Sequence, residues 1–244
     1  MKIFLENNFS IRNSIIVSLI LLGLSPLYLF SNINSIRSFT TNDGLINDYI
    51  QDVGQDVAGN LWVVTKSGIS IFDGSHWQNY PYLSKFEGNF LNDIKGEMKK
   101  FLCDENDVKF FLSNEGLIYR LKNNQIEELV PPIYQKGGKL IDIKFVLEGN
   151  RKILWASTQK NGLVYYDNSF FTFTDNEGLL SNQIISINSF DSFLFVVMDK
   201  GIQVLKDRKV VYSFSTDIFK NASTVSLRFE SGRKIRDKIS ALLI

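Results

Sequence analysis

Phe39-Thr40-Thr41-Asn42-Asp43-Gly44-Leu45 returns 134 residues downstream as Phe173-Thr174-Asp175-Asn176-Glu177-Gly178-Leu179. Phe, Thr, Asn, an acid, Gly and Leu coincide at equal spacing, and an Ile follows each Gly at the same distance (Ile50, Ile184). Divided by three, that offset gives units of about 45 residues, the length of a four-stranded propeller blade. A second marker supports the division. Leu61-Trp62-Val63-Val64-Thr65-Lys66-Ser67-Gly68-Ile69 recurs as Leu154-Trp155-Ala156-Ser157-Thr158-Gln159-Lys160-Asn161-Gly162-Leu163. Weaker copies are Phe110-Phe111-Leu112-Ser113-Asn114-Glu115-Gly116-Leu117 and Phe195-Val196-Val197-Met198-Asp199-Lys200-Gly201-Ile202. Their glycines lie 48, 46 and 39 residues apart.

Each unit reads as four strands. In the first, Tyr49 to Val57 alternates, Ala58-Gly59-Asn60 turns, and Leu61 to Thr65 is a compact apolar run. Lys66-Ser67-Gly68 turns again, Ile69 to Phe72 alternates, Asp73-Gly74-Ser75 turns, and Trp77 to Tyr80 closes the unit. Glycine supplies the positive φ that tight hairpins need and β-branched residues resist. The run carrying Trp62 suits a strand covered on both faces. One four-stranded sheet cannot hide both faces, so radial stacking of successive sheets is the natural burial scheme. The fold class is therefore all-β, a β-propeller of about four blades at 49–80, 91–129, 140–173 and 184–214 within residues 32–219.

The residues Phe39 to Leu45, then Ile50-Gln51-Asp52-Val53-Gly54-Gln55-Asp56, then Gly59 to Ile69, then Phe72-Asp73-Gly74 resemble the two-component regulator propeller repeat. The resemblance is strong over 39–80, clear over 154–179 and degenerate in the second and fourth units. Val64 stands where that family has Gly, and Phe111 and Val196 fall near its Trp slot. The resemblance implies the periplasmic sensor part of hybrid two-component histidine kinases, where propellers sense extracellular compounds, often glycans. Family propellers have about seven blades. Four blades plus a spare strand, Ile36 to Phe39, point either to a truncated member, the favoured reading, or to a closed four-bladed ring. No kinase, receiver or second membrane segment is present in the sequence.

Before the repeats, Met1 to Ser14 is mildly basic, and Ile15 to Phe30 runs sixteen residues without a charge. A basic flank followed by a short apolar core describes a signal peptide, with cleavage near Ser31, or an N-terminal membrane anchor. The expected location is periplasmic or exported, with any inner-membrane tether at residues 15–30. After the repeats, the basic tail 220–244 has Ile235, Ile239 and Leu242 at steps that fit one face of a short helix, or it is a solvated tail.

Composition bounds the function. Lys plus Arg (27) against Asp plus Glu (26) gives a net charge of +1, so no whole-chain field grips nucleic acid. One Cys excludes an internal disulfide, and one Cys with one His excludes a zinc site of the usual type. No metal, cofactor or catalytic residue is assigned. His76 reads as a surface turn residue. Asp52, Asp56, Asp93, Asp104 and Asp107 lack calcium-loop spacing and read as turn residues bonding their own backbone. Cys103, on or beside a strand, reads as an unpaired buried thiol, and Gly137-Gly138 after Pro131-Pro132 as an irregular loop. Tyr80, Tyr82, Tyr134, Tyr165, Tyr166, Phe170 and Phe171 offer either sugar-stacking rings or, more commonly at strand spacing, interblade core. Ligand-binding residues therefore stay unassigned. The expected function is a noncatalytic exported sensor or ligand-binding propeller. The alternatives are a periplasmic protein-interaction scaffold and, third, a carbohydrate-active or lyase-type enzyme. Expected partners are an extracellular glycan or other small ligand, a protein, or a second copy.

Overall fold

The computed structural model describes residues 37–82, 88–92, 94–133, 138–215, 225–229 and 239–243. The chain divides into two compact units, Met1–Phe39 and Thr40–Ile244. In the first, the Arg37 guanidinium lies 4.6 Å over the Phe39 ring. Arg37 to Phe39 form no strand, contrary to the spare strand expected there. The apolar stretch 15–30 lies outside the described residues.

In the second unit, period-2 alternation and glycine-marked turns yield four antiparallel meanders. Blade 1 is β1 (Ile50–Gln55), β2 (Leu61–Thr65), β3 (Gly68–Phe72) and β4 (Trp77–Pro81). Blade 2 is β5 (Met98–Cys103), β6 (Lys109–Ser113), β7 (Ile118–Lys122) and β8 (Gln125–Leu129). Blade 3 is β9 (Leu140–Glu148), β10 (Arg151–Thr158), β11 (Leu163–Tyr166) and β12 (Phe170–Phe173). Blade 4 is β13 (Ile184–Phe190), β14 (Phe193–Met198), β15 (Gly201–Lys206) and β16 (Lys209–Ser215). Every sheet keeps sequential strand order. The innermost strands meet in sequence, β1 against β5, β5 against β9, β9 against β13. In the tail, β17 (Val225–Phe229) pairs antiparallel with β18 (Ile239–Leu243). Of the short helix face read over Ile235, Ile239 and Leu242, the last two lie in β18 instead, and Ile235 lies outside the described residues.

The two copies of the opening motif fold identically, which explains their composition. Thr40 and Thr174 each close a capping box around a one-turn 3-10 helix, reciprocated by Asp43 and Glu177. Gly44 and Gly178 end those turns at φ 109 and 111, a region costly for any residue with a Cβ. The following Leu45 and Leu179 are both buried.

Alternation along the second strand of each blade sends successive side chains into different interfaces. Trp62 and Val64 pack with Phe101, Phe111 and Tyr119 between blades 1 and 2. Phe110 and Leu112 pack with Ile143, Leu154 and Ala156 between blades 2 and 3. Trp155 packs with Ile187, Leu194, Val196 and Met198 between blades 3 and 4. The Trp slot, facing the next blade, is thus filled by Phe110 in blade 2 and by Phe195 in blade 4. Phe111 and Val196, placed near that slot from the sequence, point the other way, into the preceding interface. A one-residue difference flips the face of a strand, and weak repeats leave that parity ambiguous.

Every innermost strand also carries one irregularity at the same register. The pairing skips a residue between Ile50 and Asp52, Met98 and Lys100, Leu140 and Asp142, and Ile184 and Ser186. Such bulges bend the strand and strengthen its twist, as the centre of a radial array requires.

Candidate functional site

Of the acidic residues singled out from the sequence, Asp56 and Asp104 are occupied with their own turns, whereas Asp52 and Asp107, expected to bond their own backbone, reach other segments. Asp56 accepts bonds from the Asn60 backbone (2.9 Å), Asn60 Nδ2 (2.9 Å) and Trp62 Nε1 (2.9 Å). Burial alone would raise its pKa; the bonds from Trp62 and Asn60 outweigh that and hold the carboxyl below its ordinary range. Asp104 repeats the role in blade 2, accepting from the backbone of Asn106 and Val108. Asp52 crosses to the next blade and accepts the Phe101 N–H at 2.9 Å. Asp107 pairs with Lys109 and accepts the Val57 N–H. Asp93 lies outside the described residues.

His76 sits in the exposed β3–β4 turn, its Nδ1 2.8 Å from Ser75 Oγ. Asp73 accepts the backbone N–H groups of His76 and Ser75, both at 2.7 Å, which lowers its pKa to about 2. Cys103 is half-buried; burial, then the Asp107 charge, push its thiol up to about 11. Gly138 donates its N–H to the Ile133 carbonyl, while Gly137 and Tyr134 lie outside the described residues. Among the described residues, no group of three or more His, Cys, Asp or Glu side chains could hold a metal ion, and no helix is long and apolar enough to cross a membrane.

Most of the candidate aromatics belong to interblade packing. Tyr80 meets Phe90 at 4.5 Å, and Tyr82 OH accepts the Met98 N–H. Tyr166 packs on Phe170, and its OH accepts from Arg120 of the neighbouring blade at 3.2 Å. Tyr165 stacks on Phe171 (5.1 Å) and lies under the Arg208 guanidinium. Arg208 in turn joins two carboxylates of blade 3, Glu148 and Asp167, each at 2.8 Å. Phe171 alone of the described group keeps an exposed face.

The recess that does emerge was not visible as a motif. A cleft of about 650 Å³ runs between the segment Gly88–Asn92 and the hairpin Arg120–Glu127. Asn92, Asn123, Asn124 and Gln125 line it with amides, Phe90 with a half-buried ring, and Arg120 and Lys122 with cations, while the buried Asn89 amide bonds the Pro81 carbonyl and the Leu91 N–H. Arg120 is ion-paired with Glu127, so Lys122 leaves the wall with a single net positive charge. Asn123 and Asn124 form the β7–β8 turn at φ 51 and 58. This is the left-handed geometry of a two-residue hairpin, and Asn tolerates it better than most side chains. Two smaller depressions adjoin it. One, of about 220 Å³, shares Lys122, Asn123 and Asn124; the other, of about 200 Å³, shares Arg120 and Lys122.

Four sequential four-stranded meanders, stacked through their innermost strands, have counterparts among solved structures. The extracellular domain of a hybrid two-component system of B. thetaiotaomicron, BT3049, superposes with a TM-score of 0.56 at 19% identity. That match covers 79% of this chain and 27% of the other. The fold is that of a β-propeller. The extracellular domain of the one-component system BT4673 of the same organism matches at a TM-score of 0.54 and 17% identity, over 76% of this chain and 25% of that one. The Dos1 propeller matches at 0.52 and 14% identity, over 72% and 49%. This propeller chain therefore spans about a quarter of the length of the two bacterial domains. No family model and no curated protein matches its sequence.

Proposed function

We propose that the chain is a noncatalytic ligand-recognition propeller of the exported sensor type related to two-component receptors, with the cleft beside the β7–β8 hairpin as its ligand seat. The cleft itself supports this reading. Its amides present donors and acceptors together, which suits hydroxyl-rich ligands, and Phe90 offers an apolar surface among them. With Arg120 neutralised by Glu127 and Lys122 as the one remaining charge of the lining, a neutral or weakly acidic glycan fits better than a strongly charged ligand. Two further features favour export: the uncharged stretch Ile15 to Phe30, and the fold shared with bacterial extracellular domains.

The test is a glycan array probed with the full chain, followed by calorimetry on the best sugar. Asn123→Gly with Asn124→Gly keeps the left-handed turn but removes two amides, and should weaken binding about tenfold, since each lost hydrogen bond contributes roughly 0.5–1.5 kcal/mol. Failure to bind any saccharide, or binding indifferent to this pair of substitutions, would overturn the assignment.

A further inference from the structure

The cleft and its two neighbouring depressions meet at one side chain. Lys122, the last residue of β7, lines all three. Asn123 and Asn124 are shared by the cleft and the 220 Å³ depression, and Arg120 by the cleft and the 200 Å³ one. The three recesses therefore wrap around the tip of the β7–β8 hairpin with Lys122 at their junction.

The other charges around this tip are already engaged. Arg120 pairs with Glu127, Lys109 with Asp107 at 2.6 Å, and Arg151 with Asp167 at 3.2 Å. Asp104 accepts the N–H groups of its own turn. Glu105 accepts the Lys152 N–H at 3.4 Å, which brings that acid and that base into the same corner, where they offset one another. Lys122 is exposed, and among the described residues no carboxylate lies within 4 Å of its ammonium.

We infer that the ligand of this site is an oligosaccharide carrying one carboxylate, as a uronic acid unit does, and that Lys122 is the specificity-determining residue for that unit. The inference rests on the saccharide reading of the cleft. At about 650 Å³ the cleft has the size of a small-molecule site, roughly 300–1,000 Å³, whereas neither depression does. Each depression opens beside Lys122, so a ligand that fills the cleft and continues passes this side chain. A chain of sugar units has that shape, and Asn106 in the 220 Å³ depression supplies an amide for its next unit. One uncommitted ammonium, a compact point charge on a flexible stem, suits one carboxylate. A second carboxylate would face Asp107, Glu105 or Glu127 instead, which disfavours a polyanion.

The experiment is an array of oligosaccharides that each contain one uronic acid unit, printed beside their carboxyl-reduced forms and probed with the full chain, with calorimetry on the best pair. The acid should bind about tenfold more tightly than its reduced partner, the ratio expected for one charge-assisted hydrogen bond. Raising salt from about 0.05 to about 0.5 M should shrink that ratio, because partly exposed charges are screened. Lys122→Gln keeps most of the stem at an exposed position, so circular dichroism and melting should not change, while the acid falls to the affinity of the reduced form. Lys122→Arg should retain the preference. Equal binding of acid and reduced forms, or a preference that survives Lys122→Gln, would overturn the inference; saccharide binding still weakened by the Asn123 and Asn124 substitutions would then leave the cleft standing as a neutral site. Binding of no saccharide at all would overturn both.

Discussion

Gly54 offers the sharpest test of how closely the blades approach. It lies in β1 opposite Trp62, and a Cβ added there would stand 2.3 and 2.7 Å from Cδ1 and Cε1 of Phe101 in the next blade. Phe101 has little room to yield. Its ring stacks on Trp62 at 5.2 Å and 8°, meets Phe111 at 5.4 Å, and its backbone N–H is held by Asp52. Overpacking a filled core costs roughly 1–3 kcal/mol. Against this, Gly→Ala restricts the unfolded chain and returns about 0.4–1 kcal/mol. The net for Gly54→Ala is therefore a destabilisation of about 1–2 kcal/mol. In a domain of this size that lowers Tm by about 2–8 °C. Calorimetry or a thermal melt by circular dichroism reads it directly. Phe101→Leu, destabilising alone, should cost less in the Gly54→Ala background, because the clash is then relieved. A Gly54→Ala protein melting at or above the wild type, or strict additivity of the pair, would refute the close-approach argument.

Other consequences concern single groups. Trp62 Nε1 donates to Asp56, whereas the buried Trp155 Nε1 has no acceptor among the described residues. Trp155→Phe should therefore cost about 1–2 kcal/mol less than Trp62→Phe in urea melts, and the reverse order would contradict the assignment. For Cys103, a thiol moved from 9.0 to about 11 should react with an alkylating reagent roughly a hundredfold more slowly in the folded chain than in urea; equal rates would refute its shielding. For Asp73, the folded pKa of about 2 lies below the unfolded 3.8. Its contribution to stability is thus complete above the unfolded value and is lost as pH falls through the folded one. A carboxyl-carbon NMR titration should find its midpoint near 2, and a midpoint near 3.8 would remove this effect.

The architecture was legible because one feature, the blade, is written four times. The phrase ending in Gly44-Leu45 encodes a cap, a left-handed glycine and a buried leucine. Each part has a local physical cause, so its second copy at Gly178-Leu179 could be recognised without any tertiary information. Parity was harder to read. Phe110-Phe111 offers two adjacent large side chains, and only pairing with β5 and β7 decides which one faces the next blade. Two of the turn carboxylates, Asp56 and Asp104, read correctly for the same local reason as the cap, bonding residues within a few positions, whereas Asp52 and Asp107 bond partners about fifty residues away that only the stacking of blades brings near. The cleft had no such signature. Its walls come from two segments about thirty residues apart, and the single hint in the sequence was Asn123-Asn124, an ordinary turn pair.

The division of the interior into separate greasy layers, one per neighbouring pair of sheets, governs how the molecule should come apart. Cohesion in such a stack is a sum of local terms between adjacent members, so a sheet flanked on one side melts before one flanked on both. Amide protons of β2 and β3, in the sheet with Val53 laid bare, should exchange faster than those of β6 and β10, which are clasped from two directions. The first sheet is thus the fraying end of the stack, and its loosening should precede global melting.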